Sequence, residues 1–466
     1  MRRRESTSKT YDQFISSKLK IHTPQGLSKF KLPAGLSDLQ KALTPWALRR
    51  GKAAIFAGTG LGKTRIEVAF GDAVAKHTGK PVIMFTPLAV AAQVLQEGER
   101  VGVKVNYVRE QSDVRQGINV TNYERMHKFD RHAFSGGIAD ESSCIKHSMS
   151  KTTQQLIHFF SDFDFRLPCT ATPAPNDWTE FGTHAELLGV CSQQEMLSEF
   201  FVHDMGTEVT EWRLKGHAQD QFWRWLASWG AFIQKPSDLG FDDSAYILPK
   251  LQVHNHRVGG DIKPAEGTFF GVPARGLHER QIARKESFDE RVSACIKRVN
   301  AEPDKSWVVW CELNSESAAL TAKIKGSIEV IGALDVDEKE RRIALFSSGG
   351  PKVLISKPSI TGWGLNWQHC TRQAFVGITD SYESYFQAVR RSWRFGQKEE
   401  VHVHRFFSAS ESSVFANLNR KELNAEKMAK SLYAHVSASV LQSVFALETE
   451  TNAYDNTKSV IVPSFL

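Results

Sequence analysis

The sequence predicts an α/β protein made of two parallel-sheet lobes, and three observations carry that class. Short apolar runs alternate with helical stretches through residues 36–122, and the same alternation returns at 307–407. Several of these runs are apolar throughout, as in strands covered on both faces. At roughly 150 residues per domain, a chain of 466 residues has room for about three folding units.

In the first series, a helical stretch from Leu39 to Arg50 precedes the apolar run Ala53–Phe56, a glycine-rich turn, and a helical pattern from Thr64 to Lys76. Strand-like Pro81–Thr86, helical Leu88–Arg100, strand-like Val103–Val108 and the short run Ile118–Asn122 follow. Gly136 and Gly137 make the segment before Asp140 a weak strand by propensity. The second series comprises Trp307–Cys311, Ile328–Ile331, Val353–Ser356, Ala374–Ile378 and Val401–Phe407. Between the two, residues 178–300 hold few strand signals and many aromatics. Phe222, Trp225, Leu226 and Trp229 fall at i, i+3, i+4 and i+7, the spacing of one buried helix face. His254 and His256 share a face of an extended segment, but no third ligand lies nearby in sequence, so no structural zinc is predicted. Beyond Ser410, Val414, Leu418, Met428, Leu432, Val436 and Val440 mark a helical stretch expected to pack on the second lobe. The expected division is a loosely held basic lead-in at 1–30, a first lobe at 31–177, a mainly helical segment at 178–300, a second lobe at 301–410, and C-terminal helices and tail at 411–466.

Composition narrows the function classes. With 41% apolar, 10% aromatic and 24% charged residues, the chain is globular, not collagen-like or wholly disordered. No apolar run reaches the ~18 uncharged residues of a membrane span. The polar, arginine-rich start does not read as a secretory signal, and six scattered cysteines without a C-x-x-C pair read as reduced thiols; both point to the cytoplasm. A net charge of +7, from 59 basic and 52 acidic residues, permits a polyanionic partner without requiring one.

The most informative local sequence is Ala57-Gly58-Thr59-Gly60-Leu61-Gly62-Lys63-Thr64, set between a strand and a helix. This is the context of a phosphate-binding loop: three glycines let backbone N–H groups close around phosphate oxygens at a helix N-terminus. Lys63 reaches the β/γ phosphates, and the Thr64 hydroxyl suits Mg²⁺. Ala57 stands where the full pattern has glycine. Downstream, Asp140-Glu141 supplies adjacent acids after an apolar segment, Asp140 for the metal's water shell and Glu141 for the attacking water.

Taken with further strings, this chain resembles a superfamily-two helicase-like ATPase of the Swi/Snf type, in the compact form found in phages and prophages. Ala57–Thr64 is similar to the family's first motif, and Gln40 resembles its adenine-reading glutamine. Phe85-Thr86-Pro87, Thr121-Asn122-Tyr123, Asp140-Glu141-Ser142-Ser143 and Cys169-Thr170-Ala171-Thr172-Pro173 resemble motifs Ia, Ib, II and III. Ser356 to Asn366 resembles motif V, with Trp363 where a small residue is common. Gln387-Ala388-Val389-Arg390-Arg391-Ser392-Trp393-Arg394-Phe395-Gly396-Gln397 is closer still to motif VI. On a continuous helix Gln387, Arg391 and Arg394 would share one face, pointing the two arginines across a cleft at a γ-phosphate.

The resemblance implies two RecA-like lobes closing on ATP and Mg²⁺, with Lys63, Asp140, Glu141, Gln387, Arg391 and Arg394 catalytic. Nucleic acid, duplex DNA above all, would be contacted through Thr86, Thr121, Thr170, Thr361 and Asn366, whose small polar groups suit phosphates. It also implies an ATP-driven translocase or helicase with partners among phage replication or recombination proteins and no membrane. A DNA-binding scaffold without turnover, and a P-loop switch independent of nucleic acid, are the alternatives that the sequence leaves open. Ser142-Ser143 departs from the usual end of motif II, which leaves strand separation undecided.

Overall fold

The computed structural model describes residues 24–449 except 89, 146–147, 176, 205–210, 260–284, 363–364 and 378–380. The first lobe runs α1 (Asp38–Arg50), β1 (Ala54–Ala57), α2 (Lys63–Thr78), β2 (Val82–Thr86), α3 (Ala91–Arg100), β3 (Val105–Tyr107), β4 (Ile118–Asn122), β5 (Gly136–Asp140), α4 (Lys151–Phe160) and β6 (Phe165–Thr170). Then come α5 (Phe181–Leu188), α6 (Gln193–Phe200), the hairpin β7 (Phe201–Asp204) and β8 (Glu211–Leu214), α7 (Gln219–Trp229), β9 (Gly230–Ile233) and β10 (Leu251–Val258). The second lobe follows as α8 (Phe288–Asn300), β11 (Trp307–Cys311), α9 (Asn314–Lys323), β12 (Ser327–Val330), α10 (Val336–Ser347), β13 (Val353–Ser356), α11 (Pro358–Thr361), β14 (Arg372–Val376), α12 (Tyr382–Val389), β15 (Val401–Ser408) and α13 (Ser412–Thr449).

The seven-stranded first sheet has the order β3-β4-β2-β5-β6-β1-β9 and the six-stranded second β10-β15-β14-β11-β13-β12, every pairing parallel. The central strands of each are buried on both sides, which is why runs such as Val82–Thr86 and Trp307–Cys311 are largely apolar. In β2, Val82 and Met84 enter one core cluster while Ile83 and Phe85 enter another, and β11 divides Val308 and Trp310 from Trp307 and Val309 in the same way.

Propensity undersells β5, which pairs with both β2 and β6. Its glycines are packing residues: a side chain on Gly137 would run into the Phe160 ring of α4. The segment 178–300 contributes strands as well as helices, and they belong to the sheets. β9 pairs with β1 from Ala54↔Gly230 to Ala57↔Ile233. β10 pairs with β15 over eight residues. Both are edge strands, and the signal for β10 is weak because its side chains alternate between half-buried and exposed. Phe222, Trp225, Leu226 and Trp229 are buried on α7, the core stripe that their spacing predicts.

His254 and His256 turn inward to other histidines. His254 Nε2 lies 3.1 Å from His402 Nδ1, and His256 Nε2 lies 2.9 Å from His404 Nδ1. Burial, with Arg298 nearby, pushes His404 down to about 3, and burial lowers His256 and His402 as well. Among the described residues no set of three or more His, Cys, Asp or Glu side chains is disposed to hold a metal ion.

The C-terminal helix corrects the expectation that it packs on the second lobe alone. At 1.5 Å per residue the 38 residues of α13 reach about 57 Å. Val414 and Leu418 enter the second lobe's core, whereas Leu432, Val440 and Val444 enter the first lobe's. The side chains of Met428 and Val436 lie outside the described set.

Candidate nucleotide site at the lobe interface

The phosphate-binding loop joins β1 to α2. Gly60 and Gly62 adopt φ of 91° and 77°, a left-handed region in which side chains are strained. Gly60 is also pressed from the second lobe, since a side chain there would collide with the main chain and Cβ of Phe395. Ala57 needs no glycine: it ends β1 in register with Ile233, and its carbonyl accepts from Lys63 Nζ at 3.0 Å. The Thr59 hydroxyl is buried without a protein partner while Thr59 lines the cavity, leaving a polar group for a ligand to satisfy. Gln40 caps α1, its Oε1 accepting from the Ser37 N–H at 3.0 Å, and its Nε2 donates to the Leu61 carbonyl at 3.3 Å.

The acids sit at the end of β5, beside the loop. Burial first, then neighbouring Glu141, pushes Asp140 up to about 7, with Lys63 opposing. Glu141 has φ 49°, the one non-glycine residue at positive φ among those described, and Thr170 Oγ1 donates to its Oε2 at 3.4 Å. Sequence reasoning missed two neighbours. Glu67 on α2 is fully buried and held well above the usual carboxylate range by burial and Asp140. Ser142 Oγ lies 3.0 Å from His184 Nε2, and burial pushes His184 down to about 4, so it stays neutral. No local pattern marks His184, because its partner is 42 residues away. Asp140 and Glu141 line the same cavity as Lys63, and their carboxylate oxygens suit a hard cation whose remaining ligands are phosphate or water oxygens.

From the second lobe, the arginines approach by a different route than a continuous helix. α12 ends at Val389, so Arg391 and Arg394 lie in the turns beyond it. Arg391 is buried and donates to the Gln387 carbonyl at 2.9 Å, to Gln387 Oε1 at 2.9 Å and to the Leu365 carbonyl at 3.0 Å. Arg394 donates to the same Leu365 carbonyl at 3.0 Å. Burial lowers both guanidinium groups, Arg391 to about 9, and Glu141 is the first charge opposing this. Gln387 Nε2 crosses to Thr172 Oγ1 of the first lobe at 3.2 Å.

A cavity of about 1120 Å³ collects these groups: Gln40, Thr59, Gly60, Gly62, Lys63 and Thr64 with Asp140 and Glu141 on one side, Asn366, Arg391 and Arg394 on the other. Gly58, Leu61 and Gln387 stand behind that wall as framework. A second seam closes the cleft farther out, where Tyr107 Oη donates to Glu340 at 3.1 Å and Asp337 pairs with Arg109 and Arg125 at 3.3 and 3.6 Å.

The expected nucleic-acid contacts do not form an accessible row. Thr86, Thr121, Thr170 and Thr361 are at most 1% exposed. Thr86 donates to the carbonyls of Pro87 and Thr121, Thr170 is turned to Glu141, and the hydroxyls of Thr121 and Thr361 are buried without a protein partner. Asn366 is exposed but lines the nucleotide cleft. Thr86, Thr121 and Thr170 lie at or near the ends of strands, where sheet packing claims small side chains before a ligand can. Trp363 and Gly364 of the motif V string lie outside the described residues.

The sequence matches no protein-family profile and no curated protein. Among solved structures, S. cerevisiae Dbp5 bound to RNA and ADP BeF3 is similar at a TM-score of 0.53 and 13% identity, over 85% of this chain and 93% of that one. The Sulfolobus solfataricus SWI2/SNF2 ATPase core in complex with dsDNA covers 90% of this chain and 99% of its own at 16% identity, with a TM-score of 0.40, too low to carry weight. The fold is that of tandem RecA-like lobes, shared with that Dbp5 structure.

Proposed function

We propose that this protein is a nucleic-acid-stimulated ATPase that moves along duplex DNA, a translocase of the superfamily-two, Swi/Snf-like kind. One observation carries the reading: Lys63, Asp140 and Glu141 of one lobe line a single cavity with Arg391 and Arg394 of the other. A lysine and a glycine loop bind a triphosphate, Glu141 orients or deprotonates the attacking water, and arginines from the opposite lobe stabilise charge on the transferred group. Thr64 and Asp140 would hold Mg²⁺, which would supply neutralisation of phosphate charge.

A hydrogen-bond route supports coupling between lobes. Glu141 is reached by Thr170, whose hydroxyl also accepts from the Thr172 N–H at 3.2 Å; Thr172 binds Gln387, and Gln387 binds Arg391. Movement of the second lobe would therefore reach the water-activating acid through these side chains. The choice of duplex DNA rests on the motif resemblance.

The test is the steady-state ATPase rate at fixed low salt with no nucleic acid, single-stranded DNA, duplex DNA or RNA, using Lys63→Ala as the blank. Strong stimulation by duplex supports the translocase, and a preference for single strands replaces it with a conventional helicase. A rate indifferent to every nucleic acid refutes the motor, and no turnover anywhere leaves a scaffold.

A further inference from the structure

Besides Tyr107, two aromatic residues line the same cavity without a part in phosphate chemistry. Tyr246 ends a short turn, Ser244–Tyr246, on the crossing between β9 and β10, and Phe395 stands between Arg394 and Gly396. Their rings stack with centroids 4.6 Å apart and planes 26° from parallel. Both line the cavity with Gln40 and Lys63.

The pair is held from both lobes. Tyr246 packs against the first lobe's core, and the main chain of Phe395 rests on Gly60. The crossing is tied to the arginine loop by Trp393 Nε1, which donates to the Pro249 carbonyl at 2.7 Å, while Gln368 donates to the Phe395 carbonyl. Gln40, on the other flank of the loop, contacts Leu61 beside Gly62. The cavity thus has a charged part, with Lys63, Asp140 and Arg391, and an aromatic part next to it. A ligand that fits both carries a phosphate chain on a flat ring system.

We propose that Tyr246 and Phe395 form the platform on which the base of the bound nucleotide stacks, so that the crossing between the lobes is part of the nucleotide site. This rests on the ATP reading and deepens it. Because every base has a π-face, the platform holds the base without choosing it.

Binding of ATP, GTP and inorganic tripolyphosphate, each with Mg²⁺, to the full chain tests this by calorimetric titration. Tyr246→Ala should weaken ATP and GTP alike, by roughly ten- to a hundredfold, and leave tripolyphosphate unchanged. Tyr246→Phe should restore both nucleotides. If Tyr246→Ala fails to fold by circular dichroism, Phe395→Leu serves the same comparison. Equal loss of ATP and tripolyphosphate, or undiminished ATP binding, overturns the platform. A wild-type protein that binds tripolyphosphate as tightly as ATP overturns it while sparing the phosphate cradle, and one that binds neither overturns the nucleotide reading as well.

Discussion

The two halves of the proposed nucleotide site are built differently. In the first lobe the charged groups sit at the ends of regular elements: Lys63 is the first residue of α2 and Asp140 the last of β5. In the second, Arg391 and Arg394 lie past the end of α12 and are aimed by one shared carbonyl, that of Leu365. Regular structure fixes the first half whether or not the cleft is shut. The second depends on side-chain hydrogen bonds, one of which, from Gln387 to Thr172, exists only when the lobes meet. On the proposed reading, a cradle carried by one lobe and arginines carried by the other meet only when the cleft is shut, so turnover would be conditional on closure even where binding is not.

The sharpest way to break this comparison is to remove one charge from each half. Lys63→Ala should reduce ATP turnover to background while the chain still folds at a somewhat lower melting temperature, because the Ala57 carbonyl loses its partner; preserved turnover in a steady-state assay would end the phosphate-loop assignment. Arg394→Ala should cost about 10³-fold in kcat with little change in ATP affinity, and a loss of affinity at normal kcat would show that it binds the ground state. Arg391→Ala should differ from both: it strips three hydrogen bonds from a buried site and so should also lower stability, by about 2 kcal/mol in urea unfolding.

Thr172→Val sharpens the contrast further. It removes the crossing hydrogen bond and should reduce nucleic-acid stimulation severalfold while leaving basal ATPase intact; equal loss of both rates would place Thr172 in the chemistry instead. The smallest effect concerns the histidine ladder. The folded value of His404, about 3, lies below its ordinary 6.5, so its contribution to stability is complete above pH 6.5 and is lost as pH falls below it. Between pH 6.5 and 5.5 this should cost about 1 kcal/mol, and the urea midpoint of His404→Gln should fall less steeply over that interval.

What could be read from the sequence follows the same division. Gly60, Gly62, Lys63 and the Asp140-Glu141 pair are legible because backbone conformation and charge constrain residue type locally. Arg391 and Arg394 are legible by type, although the continuous helix that their spacing suggests stops at Val389. Glu67, His184, Tyr246 and the partners of His254 and His256 were invisible because each gains its meaning from a residue far away, His402 and His404 being 148 positions distant. The threonines misled for the opposite reason. Their type suits a phosphate, and only the packed structure shows that they are enclosed.

The long terminal helix bears on how the molecule comes apart. Two sheets with separate cores would ordinarily melt as two independent bodies, each with its own midpoint. Because α13 contributes Val414 and Leu418 to one core and Leu432, Val440 and Val444 to the other, neither can unfold without exposing apolar surface of a helix shared with its neighbour. The expected calorimetric signature is a single endotherm that splits into two when Leu432 and Val440 are replaced by serine.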